Sequence, residues 1–341
     1  MWDRGLVCLY KPPVVTDKLK WGTIGLGKIA NKLASDLQLS PHAELYGVAS
    51  RDIKKAKEFG EKHNASKYYG SYEELANDPE VEVVYIATPH VFHFENAMLC
   101  LKSGKHVLCE KPMGMNAKQV KAMIAEAKAR NLFLMEGIWT RFIPATEKLI
   151  DLLNQNVIGE VLFIRADFGF TSTFNPEGRL YNKKLGGGSL LDIGIYPIYF
   201  SLLTLGVPAW IQATARMTDT GVDSYCGMLF DYANNAKAIL DSTFEADTPT
   251  EAYIYGTKGH IKIHNRFHHP EKLSVYRNRE LVNKIEMKYE GFGYLHEIEE
   301  VNLCIKNKMT ESPKLTHQMS LDLVSVIDKV RGEIGLVYDS D

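Results

Sequence analysis

A chain of 341 residues with 45% hydrophobic content can bury a full core, and at about 100 to 200 residues per domain it is expected to form two domains. Its 40 Lys and Arg against 42 Asp and Glu leave a net charge of -2, too little field to hold a nucleic-acid backbone or an anionic bilayer, which leaves small-molecule work. No run approaches the roughly 18 apolar residues of a membrane helix, and the N-terminus lacks the basic-then-apolar layout of a signal peptide, so a cytoplasmic protein with no membrane partner is expected.

Residues 1 to 19 carry Pro12-Pro13 and no periodicity, and are expected to form an arm without an assigned role. From Trp21 the pattern predicts a strand to about Leu26, a helix to about Leu39, a strand at Ala43 to Ala49 and a helix from near Asp52. A helix near Tyr72 to Asn77, an apolar strand Val81 to Ala87, a helix after His90, a strand His106 to Cys109 and a long helix capped by Asn116 follow. A last strand, Leu132 to Glu136, completes a six-strand doubly wound set in a Rossmann α/β domain over 20 to 140. Beyond Arg141 come a helix to Asn154, a strand Val161 to Phe170, a glycine turn at Gly186 to Gly188 and a further helix. Strands at Ile211 to Met217, Ser224 to Tyr232, Ala236 to Phe244, Ala252 to Tyr255, His260 to His264 and Leu273 to Tyr276 then follow one another without helices. They predict a large, mainly antiparallel open sheet in an α+β domain over 141 to 341, closed by helices at Tyr294 to Asn307 and His317 to Arg331. Five scattered cysteines (Cys8, Cys100, Cys109, Cys226, Cys304) form no CxxC pair and read as reduced thiols, with no metal site.

Gly25-Leu26-Gly27-Lys28-Ile29-Ala30 follows a strand and opens a helix, the GxGxxG/A context for a pyrophosphate. Six residues alone also fit a glycine turn in any α/β protein; the strand, turn, helix and strand order around them favours the dinucleotide. The second strand ends at Ala49-Ser50-Arg51, where an NAD site would place an acid, and a hydroxyl with a guanidinium suits the 2′-phosphate of NADP. Asp52, one step on, fits the next helix's N-cap and keeps NAD possible.

Strand five ends Cys109-Glu110-Lys111-Pro112, and strand C-termini face the ligand crevice of such a sheet. Position alone would leave Lys111 a solvated loop residue. The glycine turn, Glu110-Lys111-Pro112 and Asp192-Ile193-Gly194-Ile195-Tyr196 together resemble the Gfo/Idh/MocA oxidoreductases. Within them the likeness is to the dimeric dihydrodiol dehydrogenase group, also described as NADP-dependent D-xylose dehydrogenases. Segments 70–75, 107–114, 134–142 and 187–196 carry it, from about Lys20 to about Tyr338.

The resemblance implies that Lys111 contacts substrate and nicotinamide, with Glu110 beside it, and that Tyr196 is the acid/base. A phenol near pKa 10 can act as a base near neutral pH only if its phenolate is stabilised, and Lys111 can supply that charge. Asp192 lies four positions before Tyr196, so on a helix the two share a face and the carboxylate could orient the phenol or bond a substrate hydroxyl. Pro197 suits a helix start or a kink there. Without Lys111 and the resemblance, Tyr196 would read as a core aromatic. Thr88-Pro89-His90-Val91-Phe92-His93 follows strand four at the same sheet edge. The resemblance favours His93 over His90 as the imidazole bordering cofactor or substrate, and His90 could equally be a loop or capping residue. Trp139 could pack on a sugar or arene ring and Arg141 could bond a ribose or substrate oxygen, with domain-hinge packing as the alternative for both. Phe170 is a further pocket candidate. His260, His264, His268 and His269 read as a solvated hairpin rather than a metal site.

The expected activity is hydride transfer from an aldose, other polyol or trans-dihydrodiol to NADP. The alternatives are a tight-cofactor shuttle between sugars, an NAD-using glycosidase of the same superfamily, and a non-catalytic dinucleotide sensor, against which the Lys/Asp/Tyr set argues. An open sheet face in the second domain predicts a homodimer.

Overall fold

The structure, a computed structural model, describes residues 18–341. The expected arm therefore falls outside the described residues up to position 17, as does Cys8, while Leu19 already opens the first strand. Cys100, Cys109, Cys226 and Cys304 are buried free thiols.

The first sheet contains β1 (Leu19–Ile24), β2 (Ala43–Ala49), β3 (Lys67–Tyr69), β4 (Val83–Ile86), β5 (His106–Glu110) and β6 (Leu134–Gly137). Their order is β3-β2-β1-β4-β5-β6, every pair parallel. The direction of winding changes between β1 and β4, which opens a crevice at the strands' C-terminal ends. All four residues of β4 are fully buried, as its unbroken apolar run requires of a strand covered on both faces. β3 is the strand of the expected six that the sequence did not locate, because three residues, two of them exposed, are too few to show a period.

The helices between these strands are α1 (Lys28–Leu37), α2 (Ile53–His63), α3 (Tyr72–Asn77), α4 (His93–Lys102) and α5 (Ala117–Ala129). Asp52 caps α2 by accepting from the Lys54 amide at 3.0 Å, and Asn116 caps α5 by accepting from Gln119 at 3.0 Å. Each such cap contributes about 1 kcal/mol.

In the second domain α6 (Pro144–Asn154) leads into β7 (Val161–Gly169), and α7 (Ile195–Leu205) precedes β8 (Trp210–Met217), β9 (Asp223–Asp231), β10 (Lys237–Thr243), β11 (Ala252–Gly256), β12 (Gly259–Ile263), β13 (Lys272–Arg277) and β14 (Glu280–Glu286). These form an eight-stranded sheet in the order β14-β13-β12-β11-β7-β10-β9-β8, antiparallel except where β10 runs parallel to β7. Its inner face buries Ile164, Ala166, Ala238, Leu240, Ile254 and Ile261 under α7. The outer face carries Ile239, Leu229 and a stacked aromatic row, Phe163, Tyr255, His260 and Tyr276, at 4.4 to 5.4 Å. β14 also lacks an expected counterpart: it is an edge strand exposed along nearly its whole length, so nothing forces its residues to alternate.

The helical run Lys183–Leu205 has the length and apolarity of a membrane span, contrary to the expectation that no run does, but 78% of its most apolar stretch is buried inside the fold. It is a core element of the second domain.

The last two helices, α8 (Leu295–Lys306) and α9 (His317–Ile334), return to the first domain. Trp21 Nε1 donates to Asn302 Oδ1 at 3.1 Å, the Ala117 amide donates to Asp328 at 2.9 Å, and the Leu134 carbonyl lies 3.0 Å from His317 Nε2. The first domain's outer layer is thus completed by residues some 160 to 190 positions downstream of the expected boundary.

Candidate functional site

The glycine turn stands at the crevice. Gly25 has φ +86°, and a Cβ there would lie 2.6 Å from the backbone of Ala87 and Thr88, so only glycine fits. A Cβ on Gly27 would meet nothing within 4 Å. Gly27 is also the N-cap of α1 and offers no side-chain acceptor to the first amides, with Lys28 and Ile29 exposed beside it. Open space over unfilled helix N–H groups is a cradle for a pyrophosphate. At the end of β2, Ser50 is half-buried and Arg51 exposed. Asp52 turns back to cap α2, leaving Arg51 as the charged group at that strand end. The residues present therefore fit a dinucleotide.

Lys111, joined to Pro112 by a cis peptide bond, enters the crevice from the end of β5. Its ammonium donates to the Asp192 carbonyl, lies 3.5 Å from Asp192 Oδ1, and sits 5.0 Å from the centroid of the Tyr196 ring. Asp192 belongs to a π-helical turn, Leu190–Gly194, that runs directly into α7. Pro197, third in α7, has no N–H to return toward Ile193, and the wider turn precedes it. Burial alone would raise the Asp192 carboxyl, but the charges of Lys111 and Arg179 outweigh it and hold the group well below the usual carboxylate range. Arg179 grips it with both terminal nitrogens, at 2.7 and 3.2 Å. The carboxylate therefore orients Lys111, and no hydrogen bond from it to the phenol is formed.

Tyr196 is 8% exposed. Burial, reinforced by the Glu110 charge, holds its phenol well above pKa 10; the Trp139 N–H favours the phenolate. That indole nitrogen is itself buried without a well-aligned acceptor, and its ring stacks on Tyr294 at 4.7 Å. Glu110 accepts from the Tyr85 hydroxyl and from the Lys111 amide at 3.2 Å, so it braces the end of β5 from below.

Several of the expected site residues are engaged by other groups of the protein. Both ring nitrogens of His93, fully buried, lie 2.8 Å from backbone oxygens, those of Pro112 and Thr88; this imidazole ties the Thr88 and Lys111-Pro112 loops together and has no nitrogen left for a ligand. Thr88 is buried and its hydroxyl accepts from Asn96 at 3.2 Å. His90, the other imidazole, lies nearer the Lys111 and Asp192 charges. Its Nδ1 is 3.2 Å from the Gly186 carbonyl across the domain boundary, and burial with the charge of Lys111 lowers it to about 3. Arg141 donates to the Lys314 carbonyl at 2.9 Å and pairs with Glu147 at 3.0 Å, which is hinge packing. Phe170 packs on Phe244 at 5.2 Å in a satellite cluster. Phe168, two residues earlier on the same face of β7, is the aromatic that reaches Tyr196, at 5.8 Å.

The expected solvated hairpin is also corrected. His268 is 8% exposed, stacks on Phe168 at 4.3 Å and lies 5.0 Å from the Tyr196 ring, with a buried Nδ1 that has no hydrogen-bond partner among the described residues. Tertiary packing carries this residue into the site, and neither Arg179, Phe168, His268 nor Tyr294 bears a local sequence signal.

Parallel strands with a glycine turn at their switch point are how dinucleotide-dependent oxidoreductases hold their cofactor, and this chain is of that class. Residues 19–138 match the oxidoreductase family with NAD-binding Rossmann fold, and residues 146–262 match the GFO/IDH/MocA C-terminal domain. The chain belongs to the Gfo/Idh/MocA family. It is 38% identical over 339 residues to a trans-1,2-dihydrobenzene-1,2-diol dehydrogenase of Danio rerio, spanning 95% of this chain and 99% of the relative. It is 39% identical over 332 residues to the Homo sapiens protein of the same name, spanning 95% and 99%. A 3-ketoreductase from Actinomadura kijaniata, solved with NADP and TDP-benzene, superposes with a TM-score of 0.85 at 27% identity, over 93% of this chain and 98% of that one.

Proposed function

We propose that the protein is an NADP-dependent dehydrogenase that oxidises a hydroxyl-bearing carbon of an aldose or a vicinal trans-dihydrodiol. The observation that carries this reading is the Lys111 ammonium, fixed by Asp192 and lying 5.0 Å from the Tyr196 ring, at the crevice where the glycine turn opens. A bound oxidised nicotinamide supplies the acceptor for the hydride that leaves the substrate carbon, and a positive charge. As that C–H bond breaks, the substrate hydroxyl must give up its proton, and Tyr196, ionised once the positive charges of Lys111 and the bound nicotinamide offset its burial, is the group placed to take it. Lys111 stabilises the alkoxide character that develops on the same oxygen. Asp192 and Arg179 keep Lys111 in place, and the aromatic side chains of Trp139, Phe168 and Tyr294 make the surroundings of Tyr196 apolar. For the cofactor, Ser50 and Arg51 offer a hydroxyl and a planar cation to a 2′-phosphate.

The partly exposed aromatic and aliphatic outer face of the eight-stranded sheet supports self-association as a homodimer, since an apolar sheet face is stabilised by a cover. The test of the function is absorbance at the reduced-nicotinamide band, with NADP or NAD and a panel of aldoses and trans-dihydrodiols. A rise with NADP and one substrate group is the expected result. No rise with any member of the panel, at substrate concentrations up to the millimolar range of ordinary KM values, refutes it.

A further inference from the structure

We propose that a second cavity, sharing the Trp139 wall with the catalytic cluster, receives a carboxylate or phosphate carried by the sugar, so that the preferred substrates are anionic aldoses. This rests on the dehydrogenase reading and names its substrate class. The cavity, of about 420 Å³, opens where α1 meets the turn after β12 and the segment before α8. Three cations line it, Lys32, Arg266 and Lys272, against one carboxylate, Glu271. Among the described residues none of the three cations forms an ion pair. Asp36, a buried acid outside the lining, accepts from the amides of Phe292 and Tyr294 at 2.8 to 3.0 Å.

The fold sets where the cations stand, with Lys32 and Arg266 exposed and Lys272 half-buried. Arg266 adopts φ +63°, a conformation costing a non-glycine residue about 1 kcal/mol or more, within a turn tied by Phe267 N to Thr250 O at 3.1 Å and His269 N to Arg266 O at 2.8 Å. Lys32 lies 5.8 Å from the centroid of the Phe292 ring. His269, bonded to the Tyr289 hydroxyl at 2.7 Å, is pushed down to about 4 by burial and then by Arg266 and Lys32. It is neutral at physiological pH and adds no charge, so the cavity keeps its excess of two cations. Like charges gathered without a counterion are unfavourable, and an anion between them relieves the repulsion.

The cavity is also in register with the chemistry. The His269 and Trp139 ring centroids are 4.8 Å apart, and the Trp139 N–H is close enough to Tyr196 to favour its phenolate. An aldose presenting its reacting carbon to Tyr196 would extend past the indole, and an acidic substituent at its far end would meet Arg266 and Lys272.

The test compares D-glucose and D-xylose with D-glucuronate and D-glucose 6-phosphate, using the full chain and NADP. The expected result is a KM at least tenfold lower for one or both anionic sugars, rising with sodium chloride as screening grows. Arg266→Gln and Lys272→Gln should each raise that KM roughly tenfold, the worth of one charge-assisted hydrogen bond, while the neutral-sugar constants, NADP affinity and Tm stay as in the parent. Turnover of the neutral sugars with no anionic preference overturns the inference alone. So does a loss of NADP affinity in the variants, which would make the cavity part of the cofactor site. Silence with all four sugars and with trans-dihydrodiols overturns the dehydrogenase reading as well.

Discussion

Replacing Tyr196 by Phe removes one oxygen and leaves the ring that packs near Phe168 and His268. No well-aligned protein hydrogen bond ends on that oxygen among the described residues, and the Trp139 N–H beside it is already without a proper acceptor. The change should therefore alter stability by less than about 1 kcal/mol, or a Tm shift of no more than about 4 °C. Turnover is another matter. A positioned acid/base contributes about 10²- to 10⁴-fold, which corresponds to roughly 3 to 5 kcal/mol of barrier. Kinetics at the reduced-nicotinamide band with saturating NADP should show that loss in kcat, while fluorescence titration returns an unchanged NADP affinity. Because burial holds the phenol well above its ordinary pKa, oxidation by the parent protein should accelerate as pH rises on the alkaline side, and that limb should vanish in the variant. A kcat within tenfold of the parent, with the limb intact, would refute the assignment of Tyr196.

Glu136, buried beneath the site, accepts from the Met113 amide at 2.8 Å through one oxygen while the other has no well-aligned partner; burial raises it from 4.5 to about 7. Between those values the unfolded chain is ionised and the folded one protonated, so stability falls as pH rises from about 4.5 to 7 and stays lower above. Glu136→Gln should thus raise the unfolding free energy at pH 8 by on the order of 3 kcal/mol and leave it unchanged near pH 4; equal effects at both pH values in denaturant titrations would contradict the account. Arg51→Ala should weaken NADP at least tenfold and leave NAD nearly untouched, as read by calorimetry. Ile239→Lys, placed at the middle of the sheet's outer face, should give a monomer in analytical ultracentrifugation with the fold intact; a parent protein that is itself monomeric disposes of the dimer.

What could be read from the residues was local. The glycine turn needs only φ and open space, the Asn116 cap needs only its own helix, and β4 declares its two-sided burial by being apolar throughout. Lys111 and Tyr196 stood out through a family resemblance, since position alone left Lys111 a loop residue and Tyr196 a core aromatic. Arg179 could not, because it lies in an irregular stretch and gains its meaning only when the chain folds Asp192 against it. The same holds for His268, which follows a strand in a polar, histidine-rich run and looks like surface until Phe168 covers it. Asp192 shows the reverse error. Helical spacing paired it with Tyr196, but the π turn and the two cations redirect its carboxylate. His93 was the more attractive imidazole by resemblance, yet two backbone carbonyls claim both its nitrogens.

The return of α8 and α9 to the first domain sets a timetable for biosynthesis. When residue 140 leaves the ribosome all six parallel strands exist, but Trp21 still lacks Asn302, and the Ala117 amide at the start of α5 still lacks Asp328. The nucleotide-binding half must wait, partly uncovered, while some 160 to 190 more residues are made. A fragment ending near the first domain's apparent boundary would remain in that waiting state, prone to aggregation, and supplying residues 288–341 as a separate chain should rescue its solubility.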